Sequence, residues 1–211
     1  MKNFTTILLL LTIVIIAACK KDDKVSPVIT LKGNNPDVVV WGSAAKYIEP
    51  GAVVTDDIDG KLDYTVDSTV NMRLAGSYTV TYTATDAAEN TATATRTVIV
   101  DAAPYLQGFF TVDNYIGLVF QAAYIDTLSV TPTNNQLTFK HFADYSNVNL
   151  YATISATTIN IPLQTDSCGI PPRPILFSGS GSFVSDTAFR IDYTISDTTA
   201  TFSGHLDYKA N

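Results

Sequence analysis

Cysteine is almost absent from this chain: its 211 residues contain Cys19, Cys168 and no other. If Cys19 has another use, Cys168 has no partner and an internal disulfide framework is excluded. An oxidising compartment is not, because nothing obliges its proteins to carry disulfides. Methionine (2), histidine (2) and tryptophan (1) are equally scarce. Positive charge is short as well, with 13 Lys and Arg against 20 Asp and Glu for a net charge of −7. That balance excludes nucleic-acid binding by phosphate tracking and gives the body no attraction to anionic lipid. No apolar run is long enough to span a bilayer: the N-terminal one ends at Ala18, short of the roughly 20 residues required.

What is present points one way. The chain is 46% hydrophobic and 16% charged, apolar enough to bury a core and too weakly charged for disorder. Thr, Val, Ile, Tyr and Phe are abundant, and these β-branched and aromatic types fit a pleated, half-buried surface. The expectation is an all-β protein, with length for one large domain or two small ones.

Lys2 followed by an aliphatic run from Ile7 to Ile16, broken only by Thr12, reads as a signal peptide over residues 1–18. A short membrane helix would explain the run, but not the small residues immediately before a cysteine. Ile16-Ala17-Ala18-Cys19 resembles the bacterial lipobox, which implies that Cys19 becomes the acylated first residue of the mature protein. Each buried methylene contributes about 0.8 kcal/mol and stable anchoring takes about two chains, so the implied acylation would hold the protein at the membrane. Lys20-Lys21-Asp22-Asp23 resembles the lysine-plus-acidic export signal of surface-exposed lipoproteins of the Bacteroidota type. An ordinary solvated linker gives the same run, which leaves the periplasmic face as the alternative. Residues 19–24 are thus expected to be a lipidated tether.

Residues 25–101 carry turn signals and short alternating segments. Tyr78, Val80, Tyr82 and Ala84 alternate with threonines; after Asp86-Ala87-Ala88-Glu89-Asn90, so do Ala92, Ala94, Arg96, Val98 and Val100. Period-2 patterning on both sides of a polar turn predicts a hairpin with one buried face. About seven short strands fit the stretch, which suggests an immunoglobulin-like β-sandwich. Pro27-Val28-Ile29-Thr30-Leu31, Glu49-Pro50-Gly51-Ala52, Asp56-Asp57-Ile58-Asp59-Gly60 and Gly76-Ser77-Tyr78-Thr79-Val80-Thr81-Tyr82 then resemble, in order, a bacterial surface immunoglobulin-like family. The resemblance implies a spacer or adhesive module without enzymatic activity. Glu89 departs from it, standing where that family has glycine; a positive φ there would strain a Glu. Tyr78 is expected either to make a tyrosine-corner hydrogen bond or to be an ordinary core tyrosine. Asp56, Asp57, Asp59, Asp63 and Asp86 suggest calcium, which takes six to eight oxygens. The same residues are turn formers through side-chain-to-backbone bonds, and the spacing is not that of an EF-hand loop.

After Asp101-Ala102-Ala103-Pro104, read as a short stiff boundary, residues 102–211 change to longer strands with no convincing helical period. Eight are expected, near 108–113, 118–125, 136–142, 148–154, 157–163, 175–183, 188–196 and 200–208, with turns including Tyr145-Ser146-Asn147. Sequential strands with short turns favour an antiparallel up-and-down barrel, which removes exposed sheet edges. Phe189, Ile191, Tyr193 and Ile195 share one face; Phe202, Leu206 and Tyr208 oppose Ser203, His205 and Asp207. His205 and Asp207 have the placement of a His–Asp pair, which a solvated outer face also produces. Ser178-Gly179-Ser180-Gly181-Ser182 lacks the order of a nucleophile elbow, and its glycines suit a barrel bend. Cys168 reads as a lone loop cysteine rather than a nucleophile, and no catalytic residue is expected. Phe110-Thr111-Val112, Asn160-Ile161-Pro162-Leu163-Gln164 and Gly179-Ser180-Gly181-Ser182-Phe183 resemble a lipocalin-like module, which implies a barrel of undefined ligand.

Together these readings describe a non-catalytic, lipid-anchored surface protein whose immunoglobulin-like spacer presents a β-barrel binding module. Glycan or another small polar molecule is the expected ligand; a structural or adhesive subunit contacting an outer-membrane partner protein is the alternative. An open mouth lined by Tyr and Asn would favour the first, and a filled barrel beside a broad exposed apolar patch the second.

Overall fold

The computed structural model describes residues 23–42, 46–143, 145–168, 172–185 and 187–211. The leader, Ile16, Ala17, Ala18, Cys19, Lys20, Lys21 and Asp22 lie outside the described residues. Seven short strands come first: β1 (Val28–Leu31), β2 (Asp37–Val40), β3 (Ala52–Asp56), β4 (Gly60–Leu62), β5 (Thr65–Ser68), β6 (Gly76–Thr85) and β7 (Thr91–Asp101). They form two sheets, ordered β1-β3-β4 and β2-β7-β6-β5, with β2 parallel to β7. This is an immunoglobulin-like arrangement. The threonine alternation has the expected result: Val80, Tyr82 and Ala84 of β6 and Val98 and Val100 of β7 are buried.

Arg96 shares that inward face and is 0% exposed. Its Nε donates to Glu49 Oε1 at 3.0 Å and its Nη1 to the Asn34 carbonyl. A face expected to be buried therefore encloses a charge, sustained because it has both a counter-ion and a hydrogen-bond acceptor. Tyr78 donates its hydroxyl to the Leu74 carbonyl at 2.7 Å, a tyrosine-corner type of bond rather than plain core packing. Between β6 and β7, Glu89 has φ +72°, the left-handed conformation that glycine would adopt freely.

The expected stiff boundary is a one-turn helix, α1 (Ala103–Leu106), with Pro104 in the first turn, where its missing N–H costs nothing. Ala102, Ala103 and Leu106 are buried, so this connection is core rather than exposed linker. Eight antiparallel strands follow: β8 (Gly108–Ile116), β9 (Val119–Val130), β10 (Gln136–Phe142), β11 (Tyr145–Ser155), β12 (Thr158–Cys168), β13 (Arg173–Ser185), β14 (Ala188–Ser196) and β15 (Thr201–Ala210). Each pairs with the next, and β15 pairs with β8 to close the barrel. Several strands overrun their expected ends. β11 starts at Tyr145, so Tyr145-Ser146-Asn147 is strand rather than turn, although Asn147 keeps a positive φ of 59°.

The barrel is filled by aromatic rings. Phe139, Phe142, Phe177, Phe189 and Tyr208 are all fully buried, or nearly so. Phe189 stacks on Tyr208 with centroids 4.4 Å apart, while Phe139 and Phe110 meet Tyr208 edge-on. These are the offset and T-shaped geometries that ring quadrupoles favour.

The chain divides into two compact units, one formed by the described residues up to Gly33, Pro50–Asp67 and Thr81–Thr95, the other by Asn34–Glu49, Ser68–Val80 and Arg96–Asn211. Within the second unit one buried cluster runs from Trp41, Ala75 and Val100 through Ala102 to Phe110, Leu128 and Ile154. Trp41 stacks on Phe183 at 5.0 Å, so the sole tryptophan is core and is not a ligand platform. Ala75 and Ala156 exchange backbone hydrogen bonds, and Asn135 Nδ2 donates to the Val100 carbonyl at 2.9 Å. The barrel core thus continues past residue 102 into the strands before it.

Candidate functional site

Local hydrogen bonding decides what the suggestive acidic residues can do. Asp59 Oδ2 accepts the Ala87 N–H at 2.8 Å; Asp86 accepts the Asn90 N–H at 2.8 Å and the Asn90 amide at 2.7 Å. Burial works to raise the Asp86 pKa, but the bonds from Asn90, Ala88 and Glu89 prevail and lower it. Both residues are occupied in turn chemistry. Asp56 Oδ1 likewise accepts the N–H groups of Ile58 and Asp59 at 2.9 Å.

Asp56, Asp57 and Asp23 are nevertheless brought together, each offering one carboxylate oxygen within 4.8 Å of the others. Asp23 was expected to belong to the tether. Instead its Oδ1 accepts the Val25 N–H and its carbonyl accepts the Asn90 amide. Asp23 Oδ2 and Asp56 Oδ2 are enclosed and receive no hydrogen bond. Calcium takes six to eight oxygens, and this trio supplies three.

Groups with nucleophilic or acid–base potential are built into the barrel wall. Cys168 is buried, and burial together with the nearby Asp166 charge pushes its thiol pKa up, away from the thiolate. Ser178 and Ser180 lie in the extended strand β13, with no elbow. His205 stacks on Tyr115 at 4.6 Å, and His141 on Tyr124 at 4.0 Å. The His205–Asp207 arrangement resolves differently: Arg190 grips the Asp207 carboxylate through Nε at 2.6 Å and Nη2 at 2.8 Å and lowers its pKa.

Asp126 escaped the sequence reading. With β9 expected to end at Ile125, it would have fallen in a turn; the strand runs on to Val130 and carries it inside. It accepts the N–H groups of Thr127, Lys140 and His141 at 2.7–3.1 Å and the Tyr208 hydroxyl at 3.2 Å, pinning the β10 irregularity between Phe139 and His141. Burial still raises its pKa.

The described residues of the barrel form concave surfaces that include the following two. A hollow of about 230 Å³ at one mouth is walled by Ile116, Ala143, Tyr145, Tyr193, Ile195 and Phe202. On its floor Tyr193 donates its hydroxyl to Asn114 Oδ1 at 2.9 Å. The turn beside it exposes Leu118 (95%), Val119 (65%) and Phe120 (52%). The second is an open trough of about 590 Å³ on the outer wall across β12 to β15. Asn160, Ser178, Ser180, Asp192, Thr194 and Ser203 give it a polar lining.

A seven-stranded immunoglobulin-like region followed by a closed meander barrel defines a two-part all-β protein. Residues 29–100 match the family described as bacterial surface protein, Ig-like domain. Two solved structures are similar to the chain over most of its length. Lipoprotein BT2262 from Bacteroides thetaiotaomicron has 16% identity and a TM-score of 0.36, covering 87% of this chain and 99% of that one. BF2706 from Bacteroides fragilis NCTC 9343, described as a candidate outer membrane protein, has 11% identity and a TM-score of 0.31, covering 88% and 94%. The comparison with curated proteins gives no match.

Proposed function

We propose that the mature protein is a non-catalytic, lipid-anchored protein of the outer membrane, facing the cell exterior, whose immunoglobulin-like domain presents the barrel as a binding module for a small polar ligand, with glycan the favoured class. The membrane address rests on the lipobox residues Ile16, Ala17 and Ala18 before Cys19, and the outward orientation on Lys20, Lys21, Asp22 and Asp23. The surface-type domain at residues 29–100 agrees with both.

One observation carries the binding reading. The barrel interior is occupied by its own rings, while the outer wall offers a hydroxyl-rich trough within the about 300–1,000 Å³ range of small-molecule sites. The absence of catalysis is supported by the buried Cys168, by two histidines engaged in ring stacking and by the commitment of Asp207 to Arg190. A second reading, partner-protein binding, draws on the exposed Leu118, Val119 and Phe120 beside a filled barrel.

A glycan array probed with the full mature chain in detergent, paired with affinity purification from native membranes, separates the two. Specific array signal supports the polar-ligand reading. A blank array, with a co-purified protein that Leu118→Ser abolishes, replaces it with the second.

A further inference from the structure

The trough owes its shape to what β13 and β15 lack on their inner side. Gly179 and Gly181 face inward opposite Tyr193 and Ile191, and Gly204 faces inward opposite Tyr193. A Cβ on Gly181 would collide with the Arg190 carbonyl, and one on Gly204 with the Tyr115 carbonyl. Glycine there lets neighbouring backbones close up, the role it takes at barrel bends and close approaches. On β12, the register shift between Ile161 and Gln164 puts Pro162 and Leu163 on the opposite bank, Leu163 being 70% exposed. A wall drawn in along two strands and raised along a third is concave on its outside.

The lining chemistry narrows what fits. Ser178, Ser180, Thr194 and Ser203 supply hydroxyls that both donate and accept, Asn160 adds an amide, and Asp192 adds one carboxylate. Neither lysine nor arginine is among the described lining residues. Arg190, two residues from Asp192, is held by both oxygens of Asp207. An anionic ligand would meet the Asp192 carboxylate among described lining residues that include no lysine or arginine, which is unfavourable. A neutral ligand dense in hydroxyls can donate to Asp192, exchange hydrogen bonds with the serine and threonine rows, and rest an apolar face on Pro162 and Leu163.

We infer that the outer-wall trough is a saccharide site selective for neutral sugar units over acidic ones, with Asp192 and Asn160 as its hydrogen-bonding anchors. This rests on the reading of the barrel as a polar-ligand module. It moves recognition from the mouth, where such a barrel would ordinarily hold a ligand, to the wall.

The test uses the full mature chain, a panel of neutral hexose and N-acetylhexosamine oligosaccharides, and their uronate-bearing counterparts. Three variants accompany it: Ser180→Trp, which fills the trough from an exposed position; Asp192→Ala; and Leu118→Ser at the mouth. Melting curves confirm that each is folded. The expected result is binding of neutral oligosaccharides, weakened about tenfold or more by Ser180→Trp and Asp192→Ala and unchanged by Leu118→Ser. Neutral binding that survives both trough variants overturns this site and leaves the polar-ligand reading intact. Preference for the uronates overturns the neutral class. No binding to either panel overturns the site and the reading together.

Discussion

The immunoglobulin-like region and the barrel solve one problem, how to bury a sheet face, with different materials. In the first, small and β-branched residues alternate with threonine, and the specificity lies in polar bonds: Arg96 to Glu49, Tyr78 to Leu74, Asp86 to Asn90. In the second, large rings meet across the interior, and the buried polar groups are few and anchored, as with Asp126 and its four donors. Polar bonds over short spans fix local geometry; ring packing between distant strands fixes a volume. A region of the first kind suits a module whose shape is its purpose. A region of the second kind fills most of its interior with its own rings and keeps its polar side chains on the outer wall.

That contrast is open to attack. Phe177→Ala empties a ring-sized volume in the barrel and is expected to cost about 3–5 kcal/mol in urea unfolding, the usual range for a buried Phe. A cost below 1 kcal/mol would mean that the barrel is not tightly packed. Glu49→Ala removes the carboxylate that pairs with the buried Arg96 guanidinium in the first region and is expected to cost about 3 kcal/mol. If Arg96→Met combined with Glu49→Leu recovers most of that, the pair serves specificity rather than net stability. Glu89→Gly releases a left-handed residue and is expected to stabilise the β6–β7 hairpin by about 1 kcal/mol, or 2–4 °C in melting temperature.

The smallest effect compares one turn from each region. In the β14–β15 turn, the Thr199 hydroxyl and the N–H groups of Thr199 and Ala200 hold the Asp197 carboxylate and lower its pKa to about 2. Because the folded value lies below the unfolded one near 3.9, its contribution is complete above the unfolded value and is lost as pH falls through about 2. Carboxyl-carbon NMR titration should place its midpoint near 2, with Asp86 also below the ordinary carboxylate range. An Asp197 midpoint near 4 would remove the turn bonds from the account.

How far the residues announced this depends on the range of each interaction. The β6–β7 hairpin and the barrel meander follow from period-2 patterning and turn chemistry, which are local; the strain at Glu89 follows from the family resemblance. Arg96 looked like one more member of an alternating face, because its partner stands 47 residues away. Asp126 stands one residue past the expected end of its strand, and three of its four donors lie 14, 15 and 82 residues on. Tyr145 was placed in a turn that is strand, since Asn147 carries the turn-like φ without ending the pairing. The trough was the least legible. Gly179 and Gly181 stand out in the sequence, but the concavity depends on four strands in register with a shift in β12.

Hydrogen–deuterium exchange on the full mature chain, with and without the neutral oligosaccharide that binds best, tests most directly the claim that the packed barrel works through its outer wall. The account predicts slowed exchange in the segments around Ser178–Ser180, Asp192–Thr194 and Ser203, with Ala143 and Tyr145 at the mouth unaffected. Protection confined to the mouth residues would contradict it.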